Sequence, residues 1–388
     1  MMMTRLPLMP RLRSLGLAWG LGAALVLGGC SSVPSLNPFK SSAGPALKPV
    51  APQWGIQKAW TVQMGAFKGH LSAWSNGSQV ALASTDGQFR LIEASTGRVI
   101  TQLKLGESLQ AGVGGDGQRF AVITQSNQLL AIEDGKVVWR YKFNAVSQTP
   151  PLVAGQRVFV LTADRTVTAL DGASGQKLWS QQRPAEPLVL NQAGLLVAVG
   201  DTLVAGIGGR VVGFNPNSGL SRWDVLVGST RGANEVERLV DVVAQASRQG
   251  NQLCVRSFQV ALGCLDADKG QLQWTRNAQG YTGLDGDDQK IYGTESDGKV
   301  LAWDRATGQP AWTHEELRSR VLTSPLVLGR SVVVGDQFGE LHFLSRQDGQ
   351  PINRIGTDGS PIAMRPIAVG NVLVAVTQKG QVMGFQPE

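Results

Sequence analysis

The chain has 388 residues, 36 of them basic and 29 acidic, for a formal charge of +7. Arg5, Arg11 and Arg13 precede an apolar stretch near the N-terminus. Without such a leader, 33 basic residues face 29 acidic ones, a net +4. No Lys/Arg run exceeds two residues, so the clustered cations of a nucleic-acid surface are missing and no nucleic-acid partner is expected.

In chain order, the first element is the uncharged stretch Leu15 to Leu27, too short to span a bilayer comfortably. It ends in Leu27-Gly28-Gly29-Cys30. Small residues before the cut fit a secretory leader covering 1–29. A leucine at −3 with a cysteine at +1 resembles the lipobox of lipoproteins, which makes Cys30 the expected site of lipidation. Ser31 follows it rather than aspartate, which suggests sorting to the inner leaflet of the outer membrane, facing the periplasm. Acyl chains bury many methylenes at about 0.8 kcal/mol each, enough to anchor a chain that has no spanning helix. Residues 31–53, rich in Ser and Pro and without periodicity, read as a tether. Fully extended at about 3.1 Å per residue, it reaches roughly 70 Å.

From residue 54 to 388 the chain repeats. VFVLTADRTVTALDGASGQKLW (158–179) and IYGTESDGKVLAWDRATGQPAW (291–312) each give a strand, a tight turn, a strand, a glycine-ended turn and a strand carrying Trp. The turn glycine recurs at Gly97, Gly135, Gly175, Gly219, Gly270, Gly308 and Gly349, in steps of 38 to 51 residues. Trp139, Trp179, Trp223, Trp274 and Trp312 lie four residues beyond five of these glycines. The glycine is expected to supply the positive φ of the hairpin, and the indole a large buried area between neighbours. A further apolar strand precedes each unit, giving four strands per repeat, the size of one propeller blade. The last repeat, from Val372 through Phe385, lacks its fourth strand. Gly55 to Thr61, with Trp60, resembles that strand. Pairing the two ends would close the ring and remove a free sheet edge. The expected fold is therefore all-β, an eight-bladed propeller of four-stranded antiparallel blades closed by an N-terminal strand. Seven blades is the alternative.

Catalytic constellations are not evident. Asp86, Asp171, Asp297 and Asp348 fall in turns, where aspartate commonly caps the backbone. His70, His314 and His342 are far apart in sequence, and no His/Cys/Asp group has metal-ligand spacing. Gly206-Ile207-Gly208-Gly209 lies between strands with no helix after it, so it reads as a hairpin rather than a phosphate loop. Cys254 and Cys264 sit in consecutive strands, equidistant from a turn near Gln259. A disulfide between them is expected in an oxidising envelope; two packed thiols are the alternative.

The blades resemble the pyrroloquinoline-quinone type of propeller repeat, A-x-D-x-x-T-G-x-x-x-W. Three stretches go further: EELRSRVLTSPLVLGRSVVVGDQFGELHFLSRQDG (315–349), GANEVERLVDVV (232–243) and Pro187-Leu188-Val189-Leu190-Asn191. Together they resemble the BamB family, the propeller lipoproteins of the outer-membrane β-barrel assembly (BAM) machinery. The resemblance implies a non-enzymatic scaffold without a cofactor. It would bind the periplasmic POTRA domains of BamA and help fold and insert barrel proteins, with nascent outer-membrane proteins as conceivable further partners. It also implies partner contacts at Leu188, Leu190 and Asn191 in one linker and at Asp241 and Val243 in the next. Asn191 stands where the family has arginine, and Val243 where it has aspartate. The residues themselves suggest an apolar centre at Leu188 and Leu190 with a charged rim at Glu237, Arg238 and Asp241; packing of the leucines onto the next blade is the competing expectation. A lipid-anchored propeller binding a quinone cofactor or small ligand is the alternative function. Its vicinal cysteine pair and Ca²⁺ ligands are missing from the sequence. A lipoprotein that binds cell wall is a third reading, with nothing specific behind it.

Overall fold

The computed structural model describes residues 46–184, 188–230, 237 and 239–388. Eight sheets follow one another, each an antiparallel meander of four strands. Blades 1 to 7 span 74–104, 109–142, 152–182, 196–226, 247–277, 284–314 and 326–356. Blade 8 combines 367–369, 372–376 and 381–387 with the N-terminal strand Ile56–Gln63. Trp60 pairs with Gly384 and Thr61 with Met383. The closure expected from the sequence is thus present. One addition was not foreseen: His70–Leu71 adds a short parallel strand to the first strand of blade 2.

Within each blade the second and third strands are nearly all buried, whereas the fourth alternates or faces water. Val, Ile, Leu and Ala runs suit strands covered on both faces. The first strands of successive blades adjoin one another and line the axis. Linkers from the fourth strand to the next first strand share one end of the ring with the second-to-third turns, as the bonds Ala163 N–H to Val146 O and Gln259 N–H to Gly280 O show.

The repeat glycines have the expected positive φ, 63° to 74°. They also have a second role that the sequence reading missed. In six of the eight blades an indole lies against the glycine turn of the next. A Cβ on Gly175 would meet Trp139 at 2.6 Å, on Gly219 Trp179 at 2.6 Å, and on Gly308 Trp274 at 2.4 Å. The indole N–H also donates across the seam: Trp60 to Ala94 O, Trp139 to Gly172 O, Trp179 to Pro216 O, Trp274 to Arg305 O and Trp312 to Arg346 O, at 2.7 to 3.0 Å. One side chain thus supplies apolar area, a hydrogen bond and the register between blades.

Residues 46–53, read as part of the tether, lie on the propeller. Leu47 packs by Leu317 and Leu322, Arg354 donates to Lys48 O at 3.0 Å, and Gln53 N–H donates to Ile352 O at 3.1 Å. This segment follows the outer strand of blade 7.

Candidate docking face

The linkers from blade 3 to 4 and from blade 4 to 5 lie side by side on the linker face and are hydrogen-bonded to each other. Leu195 N–H donates to Val242 O at 3.2 Å and Ala244 N–H to Ala193 O at 2.7 Å; Gly194 and Val243 form an antiparallel bridge.

Asp241 organises the pair. It is buried rather than on an exposed rim as expected. One carboxylate oxygen accepts from the Leu190 N–H at 3.0 Å, and the other is ion-paired with Arg165. The second Arg165 nitrogen donates to Leu188 O at 3.1 Å. Arg165 comes from the second-to-third turn of blade 3, where it has a φ of 65°. Three segments distant in sequence therefore meet at one guanidinium–carboxylate pair, and its product is a fixed backbone at 188–190. Geometry of this kind holds a loop in place before a partner arrives, lowering the entropy lost on binding.

The remaining expected residues divide by exposure. Leu188 is 36% exposed and Leu190 is half-buried. Val243 is buried, with its N–H on Arg256 O at 3.0 Å, because the bridge to Gly194 turns it inward. Glu237 is exposed. Pro187, Glu235 and Arg238 lie outside the described residues.

Asn191 is exposed, and its side-chain oxygen meets His70 Nε2 at 2.9 Å and Gln148 Nε2 at 2.8 Å. His70, expected to be a scattered structural histidine, is thereby tied to the blade 3–4 linker. Val146 was not anticipated at all. It is 40% exposed and its carbonyl receives the Ala163 N–H, so it flanks the same turn as Leu188. Its only sequence signal was an apolar residue in a linker.

The family profile described as "Outer membrane protein assembly factor BamB" matches residues 85–314. A protein of that description from Burkholderia pseudomallei is 36% identical over 371 residues, covering 94% of this chain and 96% of its own length. The one from Bordetella pertussis is 31% identical, covering 95% and 97%. The chain belongs to the BamB family. The crystal structure of BamB from Moraxella catarrhalis shares the fold, with a TM-score of 0.77 at 24% identity over 86% of this chain and 100% of that one.

The BamB-like stretch 315–349 builds a second buried network, at blade 7. Asp336 accepts from the backbone N–H groups of Phe338 and Glu340, both at 2.9 Å, and from His342 Nε2 at 2.9 Å, and it is ion-paired with Arg320. Burial alone would raise the Asp336 pKa; the bonds from His342, Glu340 and Arg320 outweigh it and hold the carboxyl below its ordinary value. Asp336, Glu340 and His342 have ligand atoms within 4.8 Å of one another, a grouping their sequence positions did not suggest. Arg320 also reaches Glu340 at 2.7 Å, so a guanidinium already supplies the positive charge these carboxylates require. Gly283 N–H donates to Ser324 Oγ at 3.0 Å and Ile362 N–H to Asp336 O at 3.0 Å. The motif therefore joins blades 6, 7 and 8. His314 and His342, read as unrelated, line one small cavity together.

Cys254 and Cys264 occupy directly opposed positions in blade 5, with Cα atoms 4.0 Å apart, and are joined as a disulfide in the structure. Both are fully buried. Protein exported to an oxidising envelope is expected to lack two hydrogens in the intact mass, relative to the reduced chain. Two free thiols in the unreduced mass spectrum would refute the pairing.

Proposed function

We propose that this BamB-family chain is a non-enzymatic docking subunit. In this reading it is lipidated at Cys30 after loss of residues 1–29 and held at the outer membrane by the chain up to residue 53. The propeller, 54–388, faces the periplasm. Its linker face binds the POTRA domains of BamA and so supports folding and insertion of outer-membrane β-barrels by the BAM complex. The observation behind the docking assignment is the Arg165–Asp241 clamp, which fixes the backbone of the exposed Leu188 at the blade 3 turn that Val146 also flanks. Leu188 and Val146 form an apolar centre; Asn191, Gln148 and Glu237 form its polar edge, the usual anatomy of a protein interface. Hot-spot side chains cluster at such centres. No cofactor enters this proposal.

Leu188→Asp is expected to abolish co-purification of BamA while leaving the unfolding midpoint close to that of the parent chain, because the side chain is exposed. BamA recovered at parental yield would move the docking face elsewhere. A sharp fall in the midpoint would make Leu188 a packing residue instead.

Membrane attachment rests on Cys30 alone in this proposal. Cys30→Ala is expected to leave the propeller folded and to shift it from membrane to soluble fractions. Retention in the membrane pellet after a salt wash would contradict it.

A further inference from the structure

Six of the eight seams contain an indole from the preceding blade lying on the glycine turn of the next: Trp60, Trp139, Trp179, Trp223, Trp274 and Trp312. The seam between blades 1 and 2 has Thr101 in that place. It carries an aromatic group instead, with Phe120 at 5.2 Å from Trp74 and 5.3 Å from Phe89. The seam between blades 7 and 8 differs from all of these. Asn353 stands four residues after Gly349, where five other blades have Trp, and uses its amide to donate to Trp54 O at 3.1 Å. No turn overlies the seam, because the third and fourth strands of blade 8 come from opposite ends of the chain.

An open apolar cavity of about 310 Å³ results, lined by Trp54, Ile56, Leu328, Phe343, Leu373 and Phe385. Strand register identifies what this space corresponds to. Trp312 packs against Ala302 and Val332 and donates to Arg346 O. One blade further on, the matching residues are Phe343, Leu373 and Pro387, and all three border the cavity. The cavity lies where six other seams hold an indole, and it stays open beside Trp54, whose ring stands edge-on to Phe343 at 6.1 Å.

Its rim is charged. Arg330 is exposed, stacks on Trp54 with its guanidinium carbon 4.7 Å from the ring, and has no carboxylate within 4 Å among the described residues. A stacked guanidinium keeps its N–H edges free for a carboxylate. The cavity opens on the first-to-second turns, at Gly329 and Asn371, which is the end of the ring opposite the linkers.

We propose that this seam is a second docking site, which takes an aromatic side chain of a partner polypeptide with an acidic neighbour placed on Arg330. Both features have their reason on the chain itself. Six seams of the same repeat accept an indole, and the unpartnered cation calls for a negative charge beside it. The site is independent of the Leu188 face.

Calorimetric titration of the full chain with the peptide acetyl-Gly-Ser-Trp-Asp-Ser-Gly-amide tests this. One-to-one binding is expected, lost when the peptide Trp becomes Ala and weakened about tenfold, or 1.4 kcal/mol, when its Asp becomes Lys. Asn353→Trp supplies the indole from blade 7 itself and is expected to abolish binding with the fold intact. Arg330→Glu changes an exposed residue and should reverse the preference between the Asp and Lys peptides. Absence of binding to the parent chain overturns the proposal, as does binding that neither Arg330→Glu nor a folded Asn353→Trp alters. Should Asn353→Trp fail to fold, the charge reversal at Arg330 decides alone.

Discussion

Asp241→Arg is expected to destabilise the propeller by about 3–5 kcal/mol, the range found when one partner of a buried ion pair is removed. The new guanidinium faces Arg165 with no counter-ion, and the Leu190 N–H loses its acceptor. Denaturant unfolding measures the loss, and the loop at 188–190 should become sensitive to protease. Arg165→Met together with Asp241→Leu removes both charges at once, and apolar replacement of a buried pair is often close to neutral. That double variant should recover most of the stability while the loop backbone stays unpinned. Parental stability in Asp241→Arg would show that the pair does not hold the two linkers together. Under the proposed docking, the comparison also separates two ways of losing BamA: Leu188→Asp would remove a contact, whereas Asp241→Arg would remove the geometry presenting it.

Trp274→Ala is expected to cost about 3–5 kcal/mol, as deletion of a large buried aromatic does. The residue fills the seam between blades 5 and 6 and gives up its bond to Arg305 O. Gly308 supplies the partner measurement. Gly250 and Gly308 both have positive φ, 59° and 69°, but a Cβ on Gly250 meets nothing within 4 Å, whereas one on Gly308 meets Trp274 at 2.4 Å. Gly250→Ala should therefore show only the left-handed backbone cost, about 1–2 kcal/mol. Gly308→Ala should add about 1–3 kcal/mol of overpacking. In the Trp274→Ala background this excess should vanish, a coupling that a double-mutant cycle reads directly. Equal losses at Gly250 and Gly308 would show that the glycine serves only its hairpin.

Most of the architecture is legible in the sequence because a propeller is a repeat, and each of its devices recurs at a fixed offset. Spacing of Gly97, Gly175 and Gly308 gives the turns, and the missing fourth strand after Phe385 gives the closure. Legibility fails where function depends on residues that are not repeated. Arg165 and Asp241 are separated by 76 positions and meet only because two linkers and a turn share one end of the ring. Nothing periodic points from one to the other, so Asp241 reads as a surface charge. Val243 follows the same logic: an apolar residue in a long linker gives no hint that a bridge to Gly194 turns it inward. His342 looks isolated for the converse reason, since a three-dimensional network of Arg320, Asp336 and Glu340 surrounds it.

For a chain tethered at Cys30, the path of residues 46–63 decides how mechanical force enters the ring. A tug on the anchor arrives through Ile56–Gln63, the fourth strand of blade 8, which is held to the C-terminal strand by pairing alone. Were that strand pulled from its end unaided, the pairs nearest Ile56 would open first and the ring would unzip at its weakest joint. The segment over blade 7 intervenes. Its bonds at Lys48 and Gln53 grip a blade whose own strands are continuous, so strain is shed into blade 7 before the joint feels it. The short stretch from Leu47 to Gln53 acts as a strain relief, like the clamp on a cable where it enters its housing.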